Sequence, residues 1–307
     1  MIGYHLVLPA TTANLGAGFD TLGLALELYN EVRVCAARCD HTEIEGEGAG
    51  ELPTDDTNLV RRAMRAFAER VKRELPPVAL QQVNRIPLAR GLGSSAAAIV
   101  GGLLAAQALL ELAMVEDELL DLAIELEGHP DNVAPCLHGG LMVCCRDERG
   151  WHHVKLTPPP DLVAVLAIPE YTVSTQRARE LLPDSVPRAD ALFNVSRAAL
   201  FVAAIASGDL AALGPAMEDR LHQPYRAALV PGLYEGLQAA RNAGALGAAL
   251  SGAGPTVVAL VSPEGVADRV EKGMLGALCQ AGVEATTRIA RISPQGAQVR
   301  RVEFSLD

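Results

Sequence analysis

Residues Leu88–Ala98 read LARGLGSSAAA and lead into a long run of alanine and leucine. A flexible turn thus feeds directly into a strong helix former. Gly91 and Gly93 allow the backbone to present successive N–H groups in a concave nest. Ser94 and Ser95 are expected to cap the helix and to offer hydroxyls. The helix N-terminus adds unpaired N–H groups and a positive partial charge. That combination suits the phosphates of a nucleotide. Two other readings of the stretch stand beside it. Gly91, Gly93 and Ala96 also match the GxGxxA form of a dinucleotide fingerprint, but the strand and acid it needs about 20 residues on are replaced here by continuing helix, with Glu111 near its end. An ordinary glycine turn with a serine cap is the third. A Walker A loop is excluded, because no lysine follows the glycines.

Two further segments carry hydrogen-bonding groups at high density. PATTANLGAGFDTLGLAL, Pro9–Leu26, puts Asn14 and Asp20 among glycines just after a strand. Both suit the amine or hydroxyl of a small polar substrate; an Asx turn for Asn14 and a helix cap for Asp20 are the plain alternatives. ELEGHPDNVAP, Glu125–Pro135, crowds Glu127, His129, Asp131 and Asn132 together. A carboxylate beside a triphosphate is a suitable Mg²⁺ ligand, since that ion takes oxygen donors and keeps some waters. Zinc fits less well, for there is no second histidine at ligand spacing. A polar helix end and turn is the plain alternative. LSGAGPTVVAL, Leu250–Leu260, is a second glycine-rich turn that runs into a strand. Arg179 and Arg226 are candidate clamps for a carboxylate, or else solvated helix arginines.

The rest of the chain sets the frame. Half of its 307 residues are hydrophobic, which excludes a disordered protein. The net charge is −11, opposite in sign to a general nucleic-acid binder, so no nucleic-acid partner is expected. The six cysteines show no repeated CxxC spacing and are expected as free thiols. The start, MIGYHLVLPATTAN, has neither a basic end nor a long apolar core, and no run of 18 apolar residues occurs. A cytoplasmic protein with no membrane partner is the expectation.

Strands are expected at YHLVLPA, 28–38, VALQQVNRI, LMVCC, LVAVLAIP, after Pro255, at EATTRIARIS and at QVRRVEFS. Helices are expected over TNLVRRAMRAFAERVKREL, Ser94–Ala113, Glu116–Leu126, 189–206, 209–221, 231–243 and EGVADRVEKGMLGALCQAG. HTEIEGEGAGELPTDD and HPDNVAPCLHGG read as turns. Pro158, Pro159 and Pro160 stiffen one connection, which places a domain boundary there: 1–160 and 161–307. The second half mixes helices with a few strands, as an α+β domain does.

Three segments in order, PATTANLGAGFD, PLARGLGSSAA and GAALSGAGPTV, make the chain resemble the GHMP kinase superfamily over nearly its whole length. TANLGAGFDTLG, LEGHPDNVAP and LHQPYR narrow the resemblance to the homoserine kinase family. The resemblance implies a two-domain α+β GHMP kinase fold. Its N-terminal ATP-binding α/β domain would be of the ribosomal-protein-S5 domain 2 type, and its C-terminal domain ferredoxin-like. It implies transfer of the ATP γ-phosphate to the terminal hydroxyl of L-homoserine, a step towards threonine, with Mg²⁺ and often as a homodimer. By resemblance the stretch Pro87, Leu88, Ala89, Arg90, Gly91, Leu92, Gly93, Ser94, Ser95, Ala96 and Ala97 is the phosphate loop. Gly252 and Gly254 line the same cleft. Ser95 and Glu127 would hold Mg²⁺, with Glu125 an alternative to Glu127. Asn14, Asp20, His129 and Asn132 would form the amino-acid pocket, and Arg179 and Arg226 would bind the substrate carboxylate. Asn14, Asp20, Ser95 and Glu127 are thus the candidate catalytic residues. No aspartate–lysine pair is evident as a base, so substrate-assisted transfer is expected, the proton passing to a phosphate oxygen or water.

Overall fold

Alternating apolar residues in the first strand set up the first sheet. β1 (Ile2–Ala13) pairs antiparallel with the fifteen-residue β2 (Leu22–Ala36), and the register shifts between Pro9 and Ala10. Proline lacks the ladder donor, so a break there is expected. A computed structural model describes residues 2–303. β3 (His41–Gly46) follows, then α1 (Leu59–Val71), β4 (Val78–Asn84), α2 (Ser94–Leu109), α3 (Glu116–Glu127) and α4 (Pro130–His138). A hairpin of β5 (Leu141–Asp147) and β6 (Gly150–Leu156) completes this part. The second part runs β7 (Val163–Pro169), α5 (Thr175–Glu180), α6 (Arg188–Ser207), α7 (Leu213–Ala216), α8 (Gln223–Arg226) and α9 (Leu233–Asn242). It ends with β8 (Gly247–Leu250), β9 (Val257–Val261), α10 (Ala267–Gln280), β10 (Ala285–Arg291) and β11 (Gln298–Glu303).

The strands form two sheets. The first has seven strands, ordered β11-β1-β2-β4-β3, with β5 on β2 and β6 on β5. The second is antiparallel, ordered β10-β7-β9-β8. β7 is buried at every position. Val163, Val165 and Ala167 pack with α9 and α10, whereas Ala164, Leu166 and Ile168 join the core of the first sheet. One strand buried on both faces thus ties the two parts together. The α+β architecture is as expected. The last strand, however, pairs with β1, so the 161–307 tail is not confined to the second sheet. The strand expected over 298–305 is described to Glu303; Phe304 and Ser305 lie outside the described residues.

Several local expectations are corrected. His41–Gly46, read as a turn, is an edge strand: Thr42 is buried while His41, Glu43 and Glu45 face out. Charged residues of that kind protect an edge from further pairing. HPDNVAPCLHGG, also read as a turn, contains α4, with Pro130 in its first turn, where the missing N–H costs nothing. α2 stops at Leu109 rather than Ala113, and Glu111 turns left-handed at φ +51°. The helix expected over 209–221 is a 3₁₀ turn at Leu210–Ala212 followed by the single turn α7. All six cysteines are free. α6 is the one described helix whose length and composition would allow a membrane crossing.

Candidate active site

A cleft of about 370 Å³ opens over the N-terminus of α2 and reaches both parts of the chain. Its floor is the opening stretch of sequence. Gly91 and Gly93 hold left-handed backbone at φ +72° and +71°. Gly93, not a serine, is the N-cap, and no side chain caps the helix. This corrects the serine-cap expectation and leaves the first amides of α2 without a side-chain acceptor. The loop is pressed between two others. Thr11 N–H donates to Leu92 O at 3.1 Å, and the Ser251 hydroxyl lies 2.6 Å from Gly91 O. A Cβ on Gly93 would overlap Thr11 Oγ1 and stand 3.2 Å from Asn132 Oδ1. The dinucleotide reading fails on topology, since β4 and the next strand, β5, are not neighbours and form no βαβ unit.

Gly93→Ala is therefore expected to weaken ATP binding at least tenfold. Left-handed backbone alone costs an L-residue about 1–2 kcal/mol. That also lowers the melting temperature, by about 2–8 °C for a chain of this size. Calorimetric titration with ATP checks it; unchanged affinity would contradict the nest.

The first motif closes one end. Asn14, Leu15 and Asp20 all adopt positive φ, an accumulation of strain that needs external support. The Asn14 amide supplies it: Nδ2 donates to Gly252 O at 3.0 Å, and Oδ1 accepts from Asp20 N–H at 3.0 Å. Asp20 then accepts both Arg179 Nη atoms, at 2.9 and 2.7 Å. That bidentate bond raises the Arg179 pKa further. Arg226 is only 2% exposed. It donates from Nε to Ala178 O at 3.3 Å and from Nη1 to Gly252 O at 3.0 Å. No carboxylate pairs with it among the described residues. Burial, with the nearby Arg179 charge, brings its guanidinium down to about 10.

Phe19 explains how two like charges sit together. Its ring lies 5.6 Å from the Arg179 guanidinium and 5.2 Å from that of Arg226, within cation–π reach. His222 stacks on it at 5.3 Å between centroids. The His222 Nε2 to Gly16 O distance is 2.9 Å, which fits a ring that donates there and turns Nδ1 towards Arg226 Nη1.

At the other side of the loop, Ser95 Oγ donates to Glu127 Oε1 at 2.6 Å. Burial pushes the Glu127 carboxyl above its usual range, against the Ser95 hydrogen bond and the His129 charge. Glu125 points elsewhere, to Arg70 at 2.5 Å. His129 Nδ1 lies 2.6 Å from Asp131 Oδ1. Burial alone would lower the His129 pKa, but Asp131 and then Glu127 raise it above the ordinary value. Asn132 Oδ1 accepts from Thr11 Oγ1 at 2.8 Å.

Of the expected site residues, Ala96 and Gly254 do not line the cleft. Ala96 is buried behind the loop, and Gly254 N–H closes a turn onto Ser251 O at 2.8 Å. Arg90 is at the wall, yet its guanidinium donates to Leu88, Pro169 and Glu170 carbonyls, which fastens the loop to the end of β7. All the others line the cleft. Sequence reasoning missed Phe19, Thr11 and His222, and gave Asp131 no role. It also missed the far pole of the cleft, where Leu52, Pro53 and Leu88 face the amides Asn58, Gln82 and Asn84. Those amides are scattered along the chain and carry no charge, so no local pattern marks them.

The profile for the GHMP kinases N terminal domain matches residues 58–140, and that for GHMP kinases C terminal matches 201–279. The homoserine kinase of Moorella thermoacetica is 48% identical over 280 residues, 91% of this chain and 94% of that protein. That of a Synechococcus strain is 44% identical over 97% of this chain and 98% of its own. The crystal structure of homoserine kinase from Cytophaga hutchinsonii superposes with a TM-score of 0.87 at 31% identity, covering 97% of each chain. A mevalonate kinase structure, at 14% identity and a TM-score of 0.68, shares the fold alone. With both domains matched and relatives this similar end to end, the chain belongs to the homoserine kinase family of the GHMP kinases.

Proposed function

We infer that this protein is an ATP-dependent homoserine kinase, which transfers the γ-phosphoryl group to the terminal hydroxyl of L-homoserine and yields O-phospho-L-homoserine. The observation that carries the reading is one cleft with an uncapped helix N-terminus at its floor and a buried, carboxylate-free arginine at its end. The first suits phosphates and the second an α-carboxylate. Asp20 would take the substrate ammonium while keeping Arg179 in place. A zwitterionic amino acid thus meets charges of both signs, which mevalonate, with no ammonium, would leave unmatched. The far pole, with aliphatic walls and three amides, suits a purine base.

Ser95 and Glu127 fit Mg²⁺. Both are hard oxygen donors, and their oxygens stand 2.6 Å apart, near the roughly 3 Å edge of a Mg²⁺ octahedron. Among the described residues no group of three or more His, Cys, Asp or Glu is arranged for a metal. A hydroxyl and one carboxylate are enough when phosphates and waters complete the shell. Bound there, Mg²⁺ would neutralise phosphate charge as the bond to the leaving oxygen lengthens.

Catalysis then rests on positioning. The amides of the loop hold the phosphates, and the arginines hold the carboxylate so that the hydroxyl faces the γ-phosphorus. No lysine lines the cleft, and Asp20, Glu127 and Asp131 are each engaged by a neighbour. That favours loss of the hydroxyl proton to a phosphate oxygen or water. The cytoplasm and a homodimer complete the reading.

Asp20→Ala is expected to raise the KM for L-homoserine at least thirtyfold while ATP affinity stays within twofold. It removes the ammonium partner and frees Arg179, about 2 kcal/mol or more for a desolvated charge pair. Steady-state kinetics beside an ATP titration checks this. An equal loss of ATP affinity would take Asp20 out of the amino-acid pocket.

A further inference from the structure

His222 is fully buried, and both of its ring nitrogens bond groups of the amino-acid pocket. It caps the N-terminus of α8, and its carbonyl accepts from Arg226 N–H at 3.0 Å. Asp219, whose side chain is also fully buried, fixes this start of the helix. Its carboxylate accepts from the N–H groups of Leu221, His222 and Gln223 at 2.9, 3.0 and 2.7 Å, and from Asn194 Nδ2 at 2.7 Å. Burial pushes the His222 pKa below its ordinary value, against the pull of Asp219 and with the help of the Arg226 charge. A neutral imidazole has one donor and one acceptor. Nε2, 2.9 Å from Gly16 O, is the donor, so Nδ1 accepts from Arg226 Nη1 at 3.4 Å.

Those two bonds join the two ends of the pocket. Gly16 belongs to the turn that carries Phe19 and Asp20, and it lies so close to this segment that a Cβ there would overlap Met217 O. Phe19 stacks on the same imidazole, with centroids 5.3 Å apart. At the other end, Arg226 has three N–H groups engaged: Nε on Ala178 O, and Nη1 on both Gly252 O and His222 Nδ1. Nη2 has no acceptor among the described residues, which leaves its two hydrogens for a carboxylate. Gly252 O also accepts from Asn14 Nδ2, so it is a second brace between the same two ends. Two separate braces resist the rocking that one would allow.

We propose that His222 is a positioning residue of the amino-acid pocket: by tying the Gly16 turn to Arg226, it fixes the spacing between the Asp20 carboxylate and Arg226 Nη2. An α-amino acid carries its ammonium and its carboxylate on one carbon. It presents them at a single separation, and it meets both partners only where that spacing is held. A ligand with one of the two charges makes no such demand. The proposal rests on the homoserine kinase reading and names what sets its preference for a zwitterion.

The test compares the wild type with His222→Gln, His222→Asn and His222→Leu, with melting curves to confirm folding. Glutamine sets its amide nitrogen near the place of Nε2 and keeps the bond to Gly16 O. Asparagine sets its amide oxygen near the place of Nδ1 and keeps an acceptor for Arg226. Leucine keeps neither, and the two amide variants carry the test if it does not fold. KM is measured for L-homoserine, and inhibition constants for 3-aminopropan-1-ol, which lacks the carboxylate, and 4-hydroxybutyrate, which lacks the ammonium. The KM for L-homoserine is expected to rise about thirtyfold in the leucine variant and about fivefold in each amide variant, as a preorganised spacing is lost. The kcat, the ATP affinity and both inhibition constants are expected to stay within about threefold, since none of them depends on that spacing. An unchanged KM in every folded variant would overturn the proposal. So would a parallel loss for L-homoserine, both single-charge analogues and ATP, which is the mark of a ring that only supports the fold. A wild type that binds ATP but does not phosphorylate L-homoserine would sink the kinase reading itself, and this proposal with it.

Discussion

Replacing Arg226 by lysine is expected to raise the KM for L-homoserine about a hundredfold, with ATP affinity within twofold of the wild type. Arg226 reaches the cleft from α8 with its guanidinium spread over several partners. Nε bonds Ala178 O and Nη1 bonds Gly252 O, while the ring of Phe19 lies 5.2 Å away. Lysine keeps the charge but has one nitrogen for all these tasks and no planar fork for a carboxylate. Loss of a buried, charge-assisted bond costs about 2–3 kcal/mol, which is roughly two orders of magnitude. The effect falls on KM because the carboxylate lies far from the transferring group and is bound alike in the ground and transition states. Steady-state kinetics with varied homoserine measures it. An unchanged KM would move Arg226 out of the substrate site and leave it a structural tie between α8 and the Gly252 turn.

Glu127→Gln is expected to lower kcat by about a thousandfold with little change in either KM. Gln is isosteric and can still accept from Ser95 Oγ, so the local fold is kept. It carries no negative charge and is a poor Mg²⁺ ligand. Stabilisation of transferring phosphate charge by a metal is worth several kcal/mol, and about 4 kcal/mol corresponds to that factor. Stability should move the other way. Burial raises the folded-state pKa of Glu127 above its unfolded value, so the folded state holds the proton more tightly. Ionisation at neutral pH therefore works against folding, and this cost appears as pH rises through the unfolded pKa. A neutral glutamine removes it, and the variant is expected to melt at or above the wild-type temperature. Lower melting with unchanged kcat would make Glu127 a structural residue.

The floor of the cleft is legible as a contiguous stretch, because a glycine turn running into a helix has a local signature. Glycines, serines and a helix former must be contiguous, so Gly91 to Ser95 can be read from one stretch. Asp20, Glu127 and His129 stand out by chemistry, whereas Arg179 and Arg226 read equally well as solvated helix arginines until the family resemblance is added; all five line the cleft. Their partners were not legible. Nothing local says that Asp20 meets Arg179, or that Glu127 rather than Glu125 turns to Ser95. Those choices are made by helix phase and by packing between distant segments. Phe19 looks like a core residue until the two guanidiniums and the His222 ring are placed around it. α4 was misread because Pro130 and Pro135 signal a break, although a proline in the first turn suits a helix. β3 was misread because its outward residues are polar, as an edge strand requires. The return of β11 to β1 is a long-range pairing that no local pattern encodes.

A cleft that joins a phosphate floor to a pocket for a zwitterionic amino alcohol should select its acceptor by charge. The most direct test is ADP release from ATP and Mg²⁺ with L-homoserine, L-threonine, L-serine, mevalonate or no acceptor, with the product identified by mass spectrometry. Rapid release is expected with L-homoserine, giving a product heavier by one phosphoryl group, with the other acceptors near the acceptor-free rate. Preferred turnover of mevalonate would contradict the assignment of Asp20, Arg179 and Arg226, and no acceptor-dependent release from folded, ATP-binding protein would contradict the kinase reading.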